Sequence, residues 1–298
     1  TPCPRASSYF RASLWCASPA PALECQLLET ALLNIVGFQT LVATKTARVV
    51  LAADGRPVAE FGLRRAQGPD GGLAVARASY VAGCSSTSNV LAGRRYGIPV
   101  FGTHAHSWVM SFDSELEPSA PLPSRAPRIA RCSLTPTTCA RAASMPLRLP
   151  RRWRRRASAC RPFASTRATW LSCPSMSADV FDAGGPALSW GISVSNDLDE
   201  YTIQSLLDQG APIDSFGVGT KLATCYDQPA LGGVYKLSAR RASDADPWTP
   251  VVKLSEQPYK RTIPGVQRVR RYYDGFGGPV CDMIYDEDHL AGEGAARG

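Results

Sequence analysis

Apolar residues recur at helical spacing at Leu27, Leu28, Ala31, Leu32 and Ile35, which predicts an amphipathic helix. Val49, Val50 and Leu51 then predict a strand, with Asp54-Gly55 as the turn that ends it. Gly97-Ile98-Pro99-Val100-Phe101-Gly102 reads as a short buried strand running into a polar loop. Further on, Ile192 to Val194 reads as a strand, and Ser195-Asn196-Asp197 as the cap of a helix from Leu198 to Gln209. Gly210 suits the end of that helix, and Ile213 to Val218 is the next strand, followed by Gly219-Thr220. Strand, helix and strand with short links form a βα unit of a parallel sheet or barrel. Functional groups of such folds gather at the carboxyl ends of the strands. His104, His106, Gly219 and Thr220 all fall there on this pattern.

The chain has four textures. Residues 1–21 are rich in Ser, Ala, Pro and Cys, 22–117 are ordinary globular sequence, 118–178 are aperiodic, and the rest is globular again. No 20 to 50 residue repeat is visible. With 298 residues and 44% apolar side chains, a core is affordable. No uninterrupted run of about 18 apolar residues occurs, so no membrane span is expected. Thr1 to Phe10 does not read as a signal peptide, and the missing initiator Met suggests a fragment.

The net charge of +8 invites a nucleic-acid reading, but the charge is uneven. Between Pro118 and Ala178 there are twelve Arg and no Asp, Glu or Lys, whereas folded surfaces mix both signs. Four of the ten Cys (Cys132, Cys139, Cys160, Cys173) lie there, and Cys3 and Cys16 lie in the similar first segment. Their spacings fit no CxxC zinc pattern, and a chain this long without a leader is a poor candidate for a disulfide framework. The run Arg151-Arg152-Trp153-Arg154-Arg155-Arg156 could form a nucleic-acid patch with a stacking Trp; the alternative is a run without a role.

Three places carry candidate chemistry. Gly102-Thr103-His104-Ala105-His106-Ser107-Trp108 sets two His just after a strand, where each could be a ligand, base or nucleophile, or a structural hydrogen-bonded His. No carboxylate or Cys nearby completes a metal set, so metal ligands stay unknown. Glu60-Phe61-Gly62-Leu63-Arg64-Arg65 pairs an aromatic ring with two Arg. Arg suits phosphate or carboxylate and Phe can stack on a flat heteroaromatic ring, although surface Arg pairs are common. Thr87-Ser88-Asn89 and Gly217-Val218-Gly219-Thr220 are small polar loops able to cradle phosphate, or plain turns.

EFGLRRAQG (Glu60–Gly68), TSNVLAG (Thr87–Gly93), GIPVFGTHAHSWVMSF (Gly97–Phe112), SNDLDEYTIQSLLDQGAPIDSFGVGT (Ser195–Thr220) and QPALGGVYKL (Gln228–Leu237) follow one another in order. Together they resemble the nicotinate phosphoribosyltransferases, of the type II phosphoribosyltransferase family. The resemblance implies an irregular α/β barrel with a split α/β N-terminal domain, incomplete here. It places a remnant of the split domain at residues 1–45, the barrel at 46–237 and the truncated return of the split domain at 238–298. The implied reaction joins nicotinate to 5-phosphoribosyl 1-diphosphate, giving nicotinate mononucleotide and diphosphate for NAD salvage, driven by ATP hydrolysis with Mg²⁺. His106 would be phosphorylated, Thr103 would meet nicotinate, Phe61 would stack on the pyridine, Arg64 would hold phosphate, and Gly219 and Thr220 would bind the ribose 5-phosphate. A cytoplasmic homodimer is implied, with no nucleic-acid or membrane partner. A cationic ribosyl transition state with a departing diphosphate suits a metal, basic groups and oriented amides.

Two motifs of that family are missing: Val-Asp-Thr-Tyr-Asp, and Arg-Leu-Asp-Ser-Gly-Asp-Leu. Starting each codon at the third base over Leu134 to Thr138 permits Asp-Thr-Tyr-Asp. The same shift over Phe163 to Leu171 permits Arg-Leu-Asp-Ser-Gly-Asp-Leu-Ala, and over Phe10 to Pro21 it permits another string typical of the family. Residues 1–21 and 118–178 therefore read as out of frame. The rival readings are an inactive pseudoenzyme or pseudogene product, which lacks those acids, and a nicotinamide phosphoribosyltransferase.

Overall fold

The computed structural model describes residues 19–102, 111, 133–134, 163–164, 193–256 and 262–287. Two compact units divide it: Thr1–Gly37 with Gly232–Gly298, and Phe38–Leu231.

Helix α1 (Ala22–Ala52) is far longer than its first heptad of apolar positions required. Val49 to Leu51, read from sequence as a strand, lie in its last turn. The reason is tertiary: Leu41, Val42, Lys45, Thr46 and Val49 fall on one helical face and are all buried, so burial overrides the β preference of Val49 and Val50. Asp54 and Gly55, both at positive φ, make the turn after it as the sequence suggested. By length and composition α1 is apolar enough to cross a membrane. No uninterrupted apolar run of that length forms in it, because Asn34, Gln39 and Thr40 break up the sequence. Only its second half is packed as a core helix, with Leu41, Val42, Lys45, Thr46 and Val49 buried, whereas Leu23, Leu27, Leu28 and Ile35 in its first half are exposed.

A four-stranded parallel sheet of order β2-β1-β6-β5 forms the middle of the second unit. Its strands are β1 (Val58–Glu60), β2 (Ser86–Thr87), β5 (Ser193–Ser195) and β6 (Ser215–Val218). Between β1 and β2 come a 3₁₀ turn (Leu63–Arg65) and helix α2 (Gly68–Val81); helix α3 (Val90–Tyr96) follows β2. Helix α4 (Glu200–Asp208) links β5 to β6, and the single turn α5 (Thr220–Ala223) follows β6. The core includes Val42, Val49, Val58, Val75, Val194, Ile203, Phe216, Val218 and Leu222. Apart from that sheet, β3 (Ser133–Leu134) pairs in parallel with β4 (Phe163–Ala164). In the other unit β7 (Ala239–Arg240) pairs antiparallel with β8 (Thr249–Pro250), and β9 (Gln267–Tyr273) with β10 (Pro279–Asp286). A two-pronged Arg271–Asp282 ion pair staples that last hairpin, at 2.7 and 2.8 Å.

Two local expectations shift. Asp199, not Ser195 to Asp197, caps α4, its Oδ1 accepting the Thr202 N–H at 2.7 Å. Leu198 is drawn fully into the core, and the helix starts at Glu200, two residues later than expected. Asn196 and Asp197 turn the chain there at positive φ, a conformation their short polar side chains tolerate. The segment from Gly97 to Gly102 pairs only through Val100, bridged in parallel to Thr87, and Val100 is exposed rather than buried. Gly97 is already committed at φ 70 to closing α3.

Candidate functional site

Parallel register brings five chain segments to one edge. Glu60 lies level with Thr87 on one side and Val218 on the other, Gly217 lies level with Ser195, and Val100 joins Thr87. The next residues along, Phe61, Ser88, Gly219, Asn196 and Phe101, therefore share the carboxyl edge of the sheet.

Phe61 is the centre of this edge. Its N–H donates to the Val218 carbonyl at 2.7 Å, continuing the β1–β6 ladder one residue further. Its half-buried ring lies nearly parallel to that of Phe101, 11° apart in plane and 5.9 Å between centroids. Phe101 is held in turn by its N–H to the Thr87 carbonyl at 2.9 Å. Gly217 lets the Phe61 ring lie flat: a Cβ there would fall 2.5 Å from a ring carbon. Gly219 passes the Phe61 carbonyl so closely that a Cβ would sit 3.1 Å from its oxygen. Gly62 is required as well, since a Cβ would lie 2.3 Å from the Ala223 Cβ. These three glycines allow two turns to pass each other beneath an aromatic ring.

The predicted residues divide accordingly. Phe61, Gly219 and Thr220 are brought together at the edge, with Thr220 opening α5 directly after Gly219. Arg64 sits in the 3₁₀ turn, exposed and without an ion-pair partner among the described residues. Thr103 and His106 lie outside the described residues; the chain reaches the same edge at Phe101 and Gly102 just before them. The loop from Thr87 to Asn89 is engaged internally. Asn89 Oδ1 accepts the Ala92 N–H at 3.1 Å as the cap of α3, the plain-turn alternative for that loop.

Sequence reasoning passed over Glu60. Its carboxylate is 1% exposed, and it accepts from the Gly62 N–H and from the Thr87 hydroxyl at 2.6 Å. Burial pushes its pKa up, and the Thr87 and Gly62 hydrogen bonds oppose that only in part. Burial also raises the thiol of Cys84 to about 12, with help from the Glu60 charge, so Cys84 is no nucleophile at neutral pH. The signal for Glu60 was in plain view, an acid closing an apolar strand directly before Phe61. Phe101 was also missed, as was the place of Gly217 under the Phe61 ring, because partnership of rings across strands leaves no local pattern. Lys221 pairs with Asp199 at 2.5 Å and so ties α5 to the start of α4. Among the described residues no group of His, Cys, Asp and Glu could hold a metal ion.

An aromatic pair, closely passing glycines and an exposed Arg thus gather at the carboxyl edge of the parallel strands of an α/β protein. The fold is that of known pyridine-nucleotide enzymes. It matches human nicotinic acid phosphoribosyltransferase with a TM-score of 0.62 at 28% identity, covering 90% of this chain and 60% of that one. It matches a nicotinate-nucleotide pyrophosphorylase from Pyrococcus furiosus with a TM-score of 0.63 at 20% identity, covering 87% and 61%. By sequence the chain is a relative of the nicotinate phosphoribosyltransferases. It is 41% identical to that of Bacillus subtilis over 85% of this chain and 51% of the relative. It is 34% identical to that of Homo sapiens over 89% and 58%. The chain thus spans about half the length of the curated relatives it matches. No protein-family profile matches it.

Proposed function

We propose that this edge binds nicotinate and 5-phosphoribosyl 1-diphosphate and joins them into nicotinate mononucleotide. The pyridine nitrogen forms a bond to the anomeric carbon as the bond to diphosphate breaks. The observation that carries the reading is the Phe61 ring, stacked with Phe101 and lying over Gly217, in a chain with relatives of that name.

Each residue has a physical task on this reading. Phe61 offers a flat face on which a pyridine stacks, which fixes the plane of its nitrogen. Arg64, exposed and in no ion pair among the described residues, is available to a phosphate. Gly219 and Thr220 present small groups beside it for the ribose 5-phosphate. Thr103 would meet nicotinate, and phosphorylation of His106 by ATP would change the local charge by close to two units. Mg²⁺ would be expected with the polyphosphate substrates, but no described cluster of acids fits it, so no step is derived through it. A cytoplasmic homodimer belongs to the same reading.

The test is formation of nicotinate mononucleotide by the full chain from nicotinate and 5-phosphoribosyl 1-diphosphate, with and without ATP, and with nicotinamide as the control substrate. Product from nicotinate that disappears in Phe61→Ala supports the reading; product from nicotinamide alone replaces it with the nicotinamide enzyme. A second reading rests on the acid-free stretch from Pro118 to Ala178: an inactive relative. It expects no product, no binding of either substrate and no ATP-dependent label on His106.

A further inference from the structure

We propose that Glu60 is a positioning residue, whose buried carboxylate clamps the turn carrying Phe61 to the end of β2 and so sets the plane on which the pyridine stacks. The clamp is a matter of geometry, and its purpose rests on the nicotinate reading above.

Both carboxylate oxygens are used, one for each strand end. Oε1 takes the N–H of Gly62, two residues on, which closes the chain tightly around Phe61. Oε2 takes the hydroxyl of Thr87 at 2.6 Å, across the parallel β1–β2 pair. That hydroxyl oxygen accepts the Asn89 N–H at 3.1 Å, and the Ser88 N–H donates to the Glu60 carbonyl at 2.9 Å. One side chain thus joins the turn bearing Phe61 to the loop that leads into α3. Phe101, the ring facing Phe61, hangs from the Thr87 carbonyl, so both rings are referred to the same pair of residues.

No cation pairs with Glu60 among the described residues; its bonds are to neutral donors alone. A buried carboxylate held this way is a poor device for stability, since an apolar side chain of similar size would avoid the desolvation cost. What an apolar side chain cannot do is fix Gly62 and Thr87 at two defined points. Glutamine can, because its amide oxygen accepts from Gly62 while its amide N–H donates to the Thr87 oxygen.

The experiment compares Glu60→Gln, Glu60→Ala and Thr87→Val in the full chain. It measures nicotinate and 5-phosphoribosyl 1-diphosphate affinities by calorimetry, and amide exchange at Gly62 and Asn89. The clamp predicts that Glu60→Ala weakens nicotinate roughly tenfold, as loss of orientation would, and speeds exchange at both amides. Thr87→Val should do so in part, Glu60→Gln should restore both, and affinity for the diphosphate substrate should hold throughout. Equal losses for both substrates would indicate a merely structural group and overturn the proposal, as would a Gln variant as weak as the Ala variant. If the unaltered chain binds no nicotinate, the functional reading fails, and the clamp is decided by amide exchange alone. Unchanged exchange in Glu60→Ala then overturns it.

Discussion

A single methyl group at Gly217 would meet the Phe61 ring at 2.5 and 2.7 Å and the Ser195 Cβ at 3.2 Å. The strand cannot yield easily in mid-sheet, so the ring must. Gly217→Ala is therefore expected to weaken nicotinate binding and to cost about 1–3 kcal/mol of stability in urea titrations, as overpacking does. Gly210→Ala is the control. At φ 74 with open space around it, it should cost about 1–2 kcal/mol through backbone strain and leave affinity unchanged. Asp199 gives a residue-scale prediction in pH. Burial alone would raise its pKa, but hydrogen bonds from Lys221 and Thr202 and the lysine charge bring it down to about 2. A depressed carboxylate pKa stabilises the fold above the unfolded value of about 3.9 and loses that contribution as pH falls toward 2. Stability measured across that window should lose its Asp199 component in Asp199→Asn, which keeps the cap. Asp199→Ala should also lose about 1 kcal/mol at neutral pH. The sequence showed Phe61, Gly219 and Thr220 through their strings, but the ring of Phe101 and the carboxylate of Glu60 become site features only once parallel strands are aligned.

Helices α1 and α4 meet through a charged group inside the core. Lys45 is 5% exposed and reaches Glu200, the first residue of α4, at 2.6 Å, and also Asp227. Burial lowers the Lys45 pKa, yet hydrogen bonds and charge from Asp227 and Glu200 outweigh it and leave it raised. Lys45→Ala strands the Glu200 carboxylate without its cation and should cost about 3–5 kcal/mol by thermal or urea unfolding. The double variant Lys45→Met with Glu200→Leu should recover most of that loss, because no charge is left buried. The same packing explains the misread strand. Val49 to Leu51 look like β sequence taken alone, and only the buried face that includes Lys45 shows them to be helix. The start of α4 was misplaced for a similar reason, since the pull of the core on Leu198 is not written in local capping residues.

Over the whole chain, the parallel α/β arrangement and its edge were legible from alternating apolar runs and glycine turns. The middle was not, because residues 118–178 carry no periodicity from which to read it. The short parallel strands at Ser133–Leu134 and Phe163–Ala164 stand where the shifted codons permit the two acidic strings to begin. Resequencing the gene across the codons for residues 1–30 and 110–185 is expected to reveal compensating insertions or deletions that restore both strings. If the present frame is confirmed, the chain should form no nicotinate mononucleotide.

The pairing of β1 with β6 joins Val58 to Phe216, residues made at opposite ends of a long stretch of synthesis. During translation Val58 to Glu60 wait with one flank open until Phe216 has left the ribosome, and closure of so large a loop is slow. A message that stops short of that codon releases β1 paired to β2 alone with its other edge open, a seed for aggregation rather than a smaller working protein.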